Sequence, residues 1–331
     1  MAAIELTVFQ VILLFWSLRT AESQVMMTRP GCDSYCGNIS IPYPFGMKEG
    51  CYLDESFKIL CNSSRGVLPQ LTVDGTDLEV RYISVDDSTI EVMFPIVFAN
   101  CNGKDRNTVV DLEGSPFVFS SENYFIARGC DNLALMTQNQ STIGGCVSIC
   151  KKNSDSMMAS CSGIDCCQTR IPSFLKVFNV TMKELDDEKG SSVEKQCRYA
   201  YLIYQRRINY GRYYYVGGNF DPYDKRDSDH VPVVLDWGVD RRVFESPVLN
   251  GSFPYSYSWC KNVMNSSINS TNQSSTFTCS CYPGFKGNPY LYGSCTQAEG
   301  RIYLPYNDRR KINAKMAGLG MLLLLFHSIS S

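Results

Sequence analysis

The sequence predicts a mainly β, disulfide-rich protein of the extracellular type. The chain of 331 residues contains 16 cysteines, and all of them lie between Cys32 and Cys295. Short runs of alternating apolar and polar residues recur along the chain, which is typical of antiparallel strands. The 44% hydrophobic content excludes a disordered chain, and a net charge of −2 argues against a nucleic-acid partner.

Residues 1–23 are predicted to be a secretory signal peptide. The apolar run Val8–Phe15 is followed by Ala21-Glu22-Ser23, a small-x-small cleavage site. The run is too short to span a bilayer, which needs about 20 apolar residues. The secretory pathway is therefore the expected route.

Potential glycosylation sites agree with this compartment. Asn-x-Ser/Thr sequences occur after the predicted cleavage site at Asn38, Asn62, Asn139, Asn179, Asn250, Asn265, Asn269 and Asn272. An even number of cysteines in a secreted chain favours disulfides over zinc ligation, although the sequence leaves their pairing open. A secreted, disulfide-bonded glycoprotein explains the leader, the cysteines and these sites together.

The first predicted module covers residues 24–114. Two prolines in Ile41-Pro42-Tyr43-Pro44-Phe45-Gly46 predict an extended, turn-rich segment. Strands are predicted at 71–73, 78–83, 89–94 and, at the start of the next module, 116–119, with turns at Asp74-Gly75 and Asn102-Gly103. Five cysteines belong to this module: Cys32, Cys36, Cys51, Cys61 and Cys101.

The second predicted module covers residues 115–245. Strands are expected at 174–180, 199–204 and 231–237. Seven cysteines lie here: Cys130, Cys146, Cys150, Cys161, Cys166, Cys167 and Cys197. The adjacent Cys166 and Cys167 are expected to bond to two different partners, because a bond between neighbours strains the intervening peptide.

The remaining segments are a compact module at 246–296, a basic linker at 297–315 and a short hydrophobic tail at 316–331. The module holds Cys260, Cys279, Cys281 and Cys295. The tail has only 11 consecutive apolar or small positions, Met316–Phe326, so a shortened transmembrane helix, a GPI signal and neither remain open. Membrane association through this tail is the prediction.

An ordered series of motifs resembles the extracellular galacturonan-binding region of the plant wall-associated receptor kinase family. The motifs are Cys32-x3-Cys36-Gly37-Asn38, Ile41–Gly46, Gly50-Cys51, Asp165-Cys166-Cys167-Gln168, Val231–Trp237 and Gly287-Asn288-Pro289-Tyr290. The resemblance implies that residues 246–296 form a partial EGF-like module, since four cysteines stand where a full one has six. It implies binding of pectic galacturonan, with other receptor-like kinases as further partners, at the plasma-membrane exterior or cell wall.

No catalytic function is predicted. The chain lacks the Gly-rich loop, His-Arg-Asp and Asp-Phe-Gly segments of a kinase. Two alternatives to polysaccharide binding stay open: a decoy or co-receptor module, and a wall polysaccharide hydrolase using paired acids. No motif singles out such a pair.

Candidate ligand residues come from basic and aromatic side chains, because Arg and Lys pair with carboxylates and Tyr offers a flat face to a sugar ring. The stretch 204–215 interleaves Tyr and Arg without any acid, so one set is Arg206, Arg207, Tyr210, Arg212 and Tyr213. The other set lies in the first module: Lys48, Lys58 and Arg65. A Tyr-rich strand packed in the core is the alternative interpretation of 204–215.

No cofactor or bound metal is expected. The Asp-rich stretch 221–229 matches no standard calcium loop, so an exposed turn is predicted there. Calcium remains conceivable only through cross-linked pectate.

Overall fold

A computed structural model describes residues 25–61, 68–101, 103–138, 140–150, 161–185, 197–206, 230–240, 243, 257–263 and 276–298. Within these ranges, the secondary structure is predominantly antiparallel strand, which confirms the mainly β fold class. No helix in the described ranges is long and apolar enough to cross a membrane.

The strands are short and numerous. In chain order they are β1 (Tyr35–Cys36), β2 (Ile39–Ser40), β3 (Ile59–Leu60), β4 (Gln70–Val73), β5 (Thr76–Ser84), β6 (Thr89–Pro95), β7 (Val97–Cys101), β8 (Lys104–Arg106), β9 (Val110–Asp111), β10 (Phe117–Phe119), β11 (Asn123–Arg128), β12 (Asn132–Gln138), β13 (Ser141–Ser148), β14 (Cys166–Arg170), β15 (Val177–Phe178), β16 (Val180–Glu184), β17 (Arg198–Tyr204), β18 (His230–Trp237), β19 (Val239–Asp240), β20 (Ser258–Val263), β21 (Thr276–Cys281), β22 (Phe285–Lys286) and β23 (Thr296–Gln297). A 3-10 turn, Glu55–Phe57, precedes β3.

The largest sheet in the described ranges has six strands in the order β10-β18-β6-β5-β4-β3. The predicted strand at 231–237 is its second member, β18, which pairs with both β6 and β10. This sheet joins strands from both sides of residue 114, so the first two predicted modules share one sheet.

A five-stranded sheet, β14-β11-β17-β7-β8, and a three-stranded sheet, β13-β12-β16, complete the larger framework. Asn123 joins the five-stranded to the six-stranded sheet. It is fully buried, its amide donates to the Val234 carbonyl at 2.7 Å, and its Oδ1 accepts from the Val234 N–H at 2.9 Å. A buried amide that satisfies backbone groups on another sheet fixes how the two sheets meet.

Most predicted strands are confirmed, and one is wrong in part. The segments 71–73, 78–83, 89–94, 199–204 and 231–237 all lie inside observed strands. The run 174–180 does not form one strand, because Phe174 has φ +60° and sits in a turn. Strand structure starts only at Val177. The residue before it, Lys176, donates from its ammonium to the carbonyls of Leu112 and Ser115 at 3.3 and 2.7 Å.

Eight disulfides link all 16 cysteines. The pairs are Cys32–Cys51, Cys36–Cys61, Cys101–Cys197, Cys130–Cys150, Cys146–Cys167, Cys161–Cys166, Cys260–Cys279 and Cys281–Cys295. Cys166 and Cys167 bond to two different partners, as the sequence predicted. Cys101–Cys197 is the bridge that joins the two larger predicted modules.

The hydrophobic core is lined by aromatic rings contributed by distant parts of the chain. Phe45, Phe57, Phe117 and Trp237 contact one another with ring centroids 5.1–6.2 Å apart. Tyr290, from the last module, closes this cluster with its ring 5.3 Å from Trp237. Burial raises the pKa of the Tyr290 hydroxyl to about 12, so it stays neutral in the core.

The last module is fastened to the first by Asn288, which is fully buried. Its amide donates to the carbonyl oxygens of Tyr43 and Met27 at 2.5 and 2.8 Å. Its Oδ1 accepts from the Tyr290 N–H at 3.0 Å. The two family motifs that contain Asn288 and Tyr43 are therefore in direct contact.

Two glycines, one in each of these motifs, lie too close to backbone to carry a side chain. A Cβ on Gly287, which has φ +148°, would lie 2.0 Å from the Ser294 carbonyl oxygen. A Cβ on Gly46 would lie 2.5 Å from the Cys51 backbone. Neither position can carry a side chain without moving backbone.

Replacing Asn288 by Ala is expected to lower the free energy of unfolding by about 3 kcal/mol, because two buried carbonyls and one N–H lose their partner. Chemical denaturation with the disulfides intact measures this. Asn262→Ala, at an exposed position of β20, is the matched control and is expected to change stability by less than about 0.5 kcal/mol. Equal stabilities for the two variants would contradict the role given to Asn288.

Candidate functional site

Three basic side chains surround one loop of the first module. The loop, residues 47–58, is joined at Cys51 to Cys32 by a disulfide, and it includes the 3-10 turn Glu55–Phe57. The Asp54 carboxylate caps this turn by accepting from the Ser56 N–H at 2.8 Å, and Phe57 anchors it in the core. We name Arg29, Lys48 and Lys58 the basic rim.

Lys58 belongs to a short network on the surface. Its ammonium lies 3.1 Å from Glu55 Oε2 and 5.8 Å from the centroid of the Tyr52 ring, and the Tyr52 hydroxyl donates to Glu55 Oε1. The hydrogen bond that Glu55 accepts from Tyr52 is the main reason that the pKa of the Glu55 carboxyl lies below its ordinary value. The hydrogen bond from Lys58 lowers this pKa further. The hydrogen bond to Glu55 in turn raises the pKa values of Lys58 and Tyr52.

Lys48 and Arg29 are held differently. Lys48 is strongly exposed and forms an ion pair with Asp33 at 2.6 Å. The Arg29 guanidinium donates to the Tyr43 hydroxyl at 2.8 Å and to the Gly50 carbonyl at 3.0 Å. Burial raises the pKa of Tyr43, and the charge and hydrogen bond of Arg29 oppose this rise.

The basic rim can exchange its partners for the carboxylates of a ligand. Exposed ion pairs such as Lys48–Asp33 and Lys58–Glu55 contribute between about 0 and 1 kcal/mol, so an incoming polyanion displaces them at little cost. Within the described ranges, no carboxylate lies at salt-bridge distance from Arg29. The rim therefore offers one guanidinium and two replaceable lysine pairs.

The predicted ligand residues are divided by the structure. Lys48 and Lys58 share the rim, whereas Arg206 follows β17 in the five-stranded sheet. Arg206 lies 3.9 Å from Glu122 and 6.0 Å from the ring centroid of Tyr204. The other members lie outside the described residues: Arg65, Arg207, Tyr210, Arg212 and Tyr213. The ligand set stays a prediction.

Two of the eight potential glycosylation sites lie in the described ranges. Asn38 is exposed in the turn between β1 and β2, and Asn179 is half-buried between β15 and β16. The remaining six lie outside the described ranges: Asn62, Asn139, Asn250, Asn265, Asn269 and Asn272.

No group of His, Cys, Asp or Glu in the described part of the chain has an arrangement that could hold a metal ion. The Asp-rich stretch 221–229 lies outside that part.

Exposed aromatic side chains on the last module were missed at the level of sequence. Tyr257, Trp259 and Tyr282 are 40–47% exposed, although large aromatic residues usually supply core contacts. One signal in the sequence could have drawn attention to them: residues 246–298 contain no Asp or Glu.

Antiparallel sheets cross-linked by eight disulfides define a cysteine-rich β-protein. Comparison with known proteins shows which family the chain resembles. Residues 32–93 match the model described as wall-associated receptor kinase galacturonan-binding.

Curated relatives from Arabidopsis thaliana agree with this match. The chain is 28% identical over 316 residues to wall-associated receptor kinase-like 10, covering 80% of this chain and 38% of the relative. It is 29% identical over 279 residues to wall-associated receptor kinase 4, covering 81% of this chain and 34% of the relative. It is 27% identical over 322 residues to wall-associated receptor kinase 3, covering 91% of this chain and 40% of the relative.

The chain thus spans well under half the length of these relatives. No solved structure matches it. The resemblance to the wall-associated receptor kinase family is confirmed.

Replacing Glu55 by Gln is expected to lower the pKa of Lys58 towards its ordinary value, because the carboxylate that favours the ammonium form is removed. An NMR titration of the Lys58 Cε resonance measures the change. Asp33→Asn removes the partner of Lys48 instead and should leave the Lys58 titration where it is. An unchanged Lys58 pKa in the Glu55 variant would show that the pair does not persist in solution.

Proposed function

We propose that this protein binds pectic galacturonan without chemical turnover, as a receptor-like domain facing the cell wall. The match of residues 32–93 to the galacturonan-binding model carries the proposal. The structure supports the proposal because residues 32–93 include the loop 47–58, the Cys32–Cys51 disulfide and both lysines of the basic rim.

The chemistry of the rim suits a chain of uronic acids. A guanidinium can bind a carboxylate through two parallel hydrogen bonds, and an ammonium acts as a point charge. The sugar contacts are expected to be weakened by salt, since all three cations are near the surface.

The remaining parts of the proposal concern location and partners. We propose that the protein enters the secretory pathway and acts outside the cell, and that residues 316–331 associate with the membrane. Other receptor-like kinases are its proposed protein partners, because the curated relatives are named as receptor kinases.

Retention on immobilised polygalacturonate tests the function. The full chain is expected to bind at low ionic strength and to be released as salt rises. Lys48→Ala/Lys58→Ala is expected to weaken binding about three- to tenfold, because two cations lose contact with the polyanion. Lys104→Ala/Lys183→Ala removes the same charge at exposed positions away from the rim and should bind like the parent.

Two results would overturn the proposal. One is absence of polygalacturonate binding by the parent protein at low salt. The other is release of new reducing ends from pectin by the purified protein, which would make it a hydrolase instead.

A separate variant tests the Tyr- and Arg-rich stretch. Arg206→Ala/Arg207→Ala/Arg212→Ala removes three cations from the predicted second ligand set. Retention reduced as strongly as by the rim variant would support a contribution from this stretch. Retention equal to that of the parent would favour the basic rim over residues 204–215 as the binding region.

A further inference from the structure

Three aromatic side chains share one exposed face of the hairpin formed by β20 and β21. The Tyr282 N–H donates to the Tyr257 carbonyl at 2.7 Å, which places these residues opposite each other. Trp259 is paired with Ser280. Because side chains alternate along a strand, Tyr257, Trp259 and Tyr282 lie on the same face, about 7 Å apart along the strand and 5 Å across it. We name these three residues the aromatic platform.

The aromatic platform is supported by the buried opposite face of the hairpin and by Phe285. The opposite face of the hairpin carries the Cys260–Cys279 disulfide, and Cys279 and Phe277 are buried there. The Tyr257 ring is stacked on Phe285, with the centroids 4.0 Å apart and the planes 12° from parallel. The Tyr257 ring is therefore held in place before any ligand arrives, which lowers the entropic cost of binding.

The stretch 246–298, which carries the platform, has charges of a single sign. Lys261 is exposed and lies two residues beyond Trp259, so it shares the platform's face. Residues 246–298 contain two cations, Lys261 and Lys286, and no Asp or Glu. In contrast, residues 24–110 contain 7 basic and 11 acidic residues. Within the described ranges, no carboxylate lies at salt-bridge distance from Lys261.

We propose that the aromatic platform and Lys261 form a second binding site for uronic acid chains. This inference rests on the proposed function and adds a site on a different module. The apolar face of a sugar ring stacks on Trp259 and its tyrosine neighbours, while Lys261 pairs with a carboxylate of the same or the next residue. The absence of Asp and Glu from residues 246–298 reduces the repulsion of a polyanion, although Asp240 pairs with Thr276 in the same sheet.

Tryptophan fluorescence tests the contact directly. Trp237 is 2% exposed and Trp259 is 40% exposed, while Trp16 belongs to the predicted signal peptide. Acrylamide quenching of the secreted protein therefore reports mainly on Trp259. A galacturonate oligosaccharide is expected to reduce the quenching constant about twofold or more. A neutral galactan of equal length should need about a threefold higher concentration at low salt, because it lacks the carboxylate that pairs with Lys261.

Variants separate stacking from charge. Trp259→Ala and Tyr282→Ala are each expected to raise the Kd for the oligosaccharide about tenfold. Lys261→Ala is expected to raise it about threefold at low salt, and Lys261→Arg should bind like the parent. Tyr82→Ala, at a 59% exposed tyrosine of β5, and Lys183→Ala are the matched controls and should leave the Kd unchanged.

The outcomes distinguish this site from the function as a whole. If the parent binds galacturonate while Trp259 stays fully quenchable and Trp259→Ala binds equally well, the platform is not a site, although the proposed function stands. If the parent binds no galacturonate at low salt, both proposals fail. Protection of Trp259 by anionic phospholipid vesicles, without protection by galacturonate, would make the platform a membrane contact and overturn the inference.

Discussion

The contact between the Asn288 amide and the carbonyls of Tyr43 and Met27 is the interaction on which the arrangement of the molecule depends. These groups lie 245 and 261 residues apart in sequence, and the amide is fully buried. A buried carbonyl without a donor costs more than the hydrogen bond it would gain, so the last module cannot leave this position without exposing or orphaning polar backbone. Gly287, next to Asn288, lies against the Ser294 backbone within the last module, where a Cβ would clash.

This contact also explains why the aromatic cluster spans the chain. Trp237 ends the central strand β18, Phe45 comes from the Pro-rich segment and Tyr290 follows Asn288 within the same turn. Trp237 contacts both Phe45 and Tyr290, so one cluster includes rings from all three predicted modules. The basic rim lies in the first of these modules and the aromatic platform in the last.

Sequence was a good guide wherever a local pattern decides the structure. The sequence runs that predicted β5, β6, β17 and β18 do form strands. Buried positions alternate over part of β5, whereas β6, β17 and β18 are buried at most positions. The prediction failed at Phe174, where a left-handed backbone in an aromatic residue has no local signal. The strands β11, β12 and β13 were not anticipated, since β13 is rich in glycine and polar residues and is stabilised by pairing with β12 rather than by its own pattern. Disulfide pairing and the Asn288 contact were equally out of reach, because both join residues whose proximity only the tertiary fold creates.

The candidate sites show the same division in their chemistry. Basic residues can be found by inspection, but their value depends on neighbours: Lys58 is already paired with Glu55, and Lys48 with Asp33. An exposed tryptophan cannot be told from a buried one by its letter, since Trp237 is 2% and Trp259 40% exposed. The register of β20 on β21 turns Trp259 to the face opposite Cys260. A chain with nearly balanced charge can still have a segment that repels a polyanion little, because residues 246–298 contain no Asp or Glu.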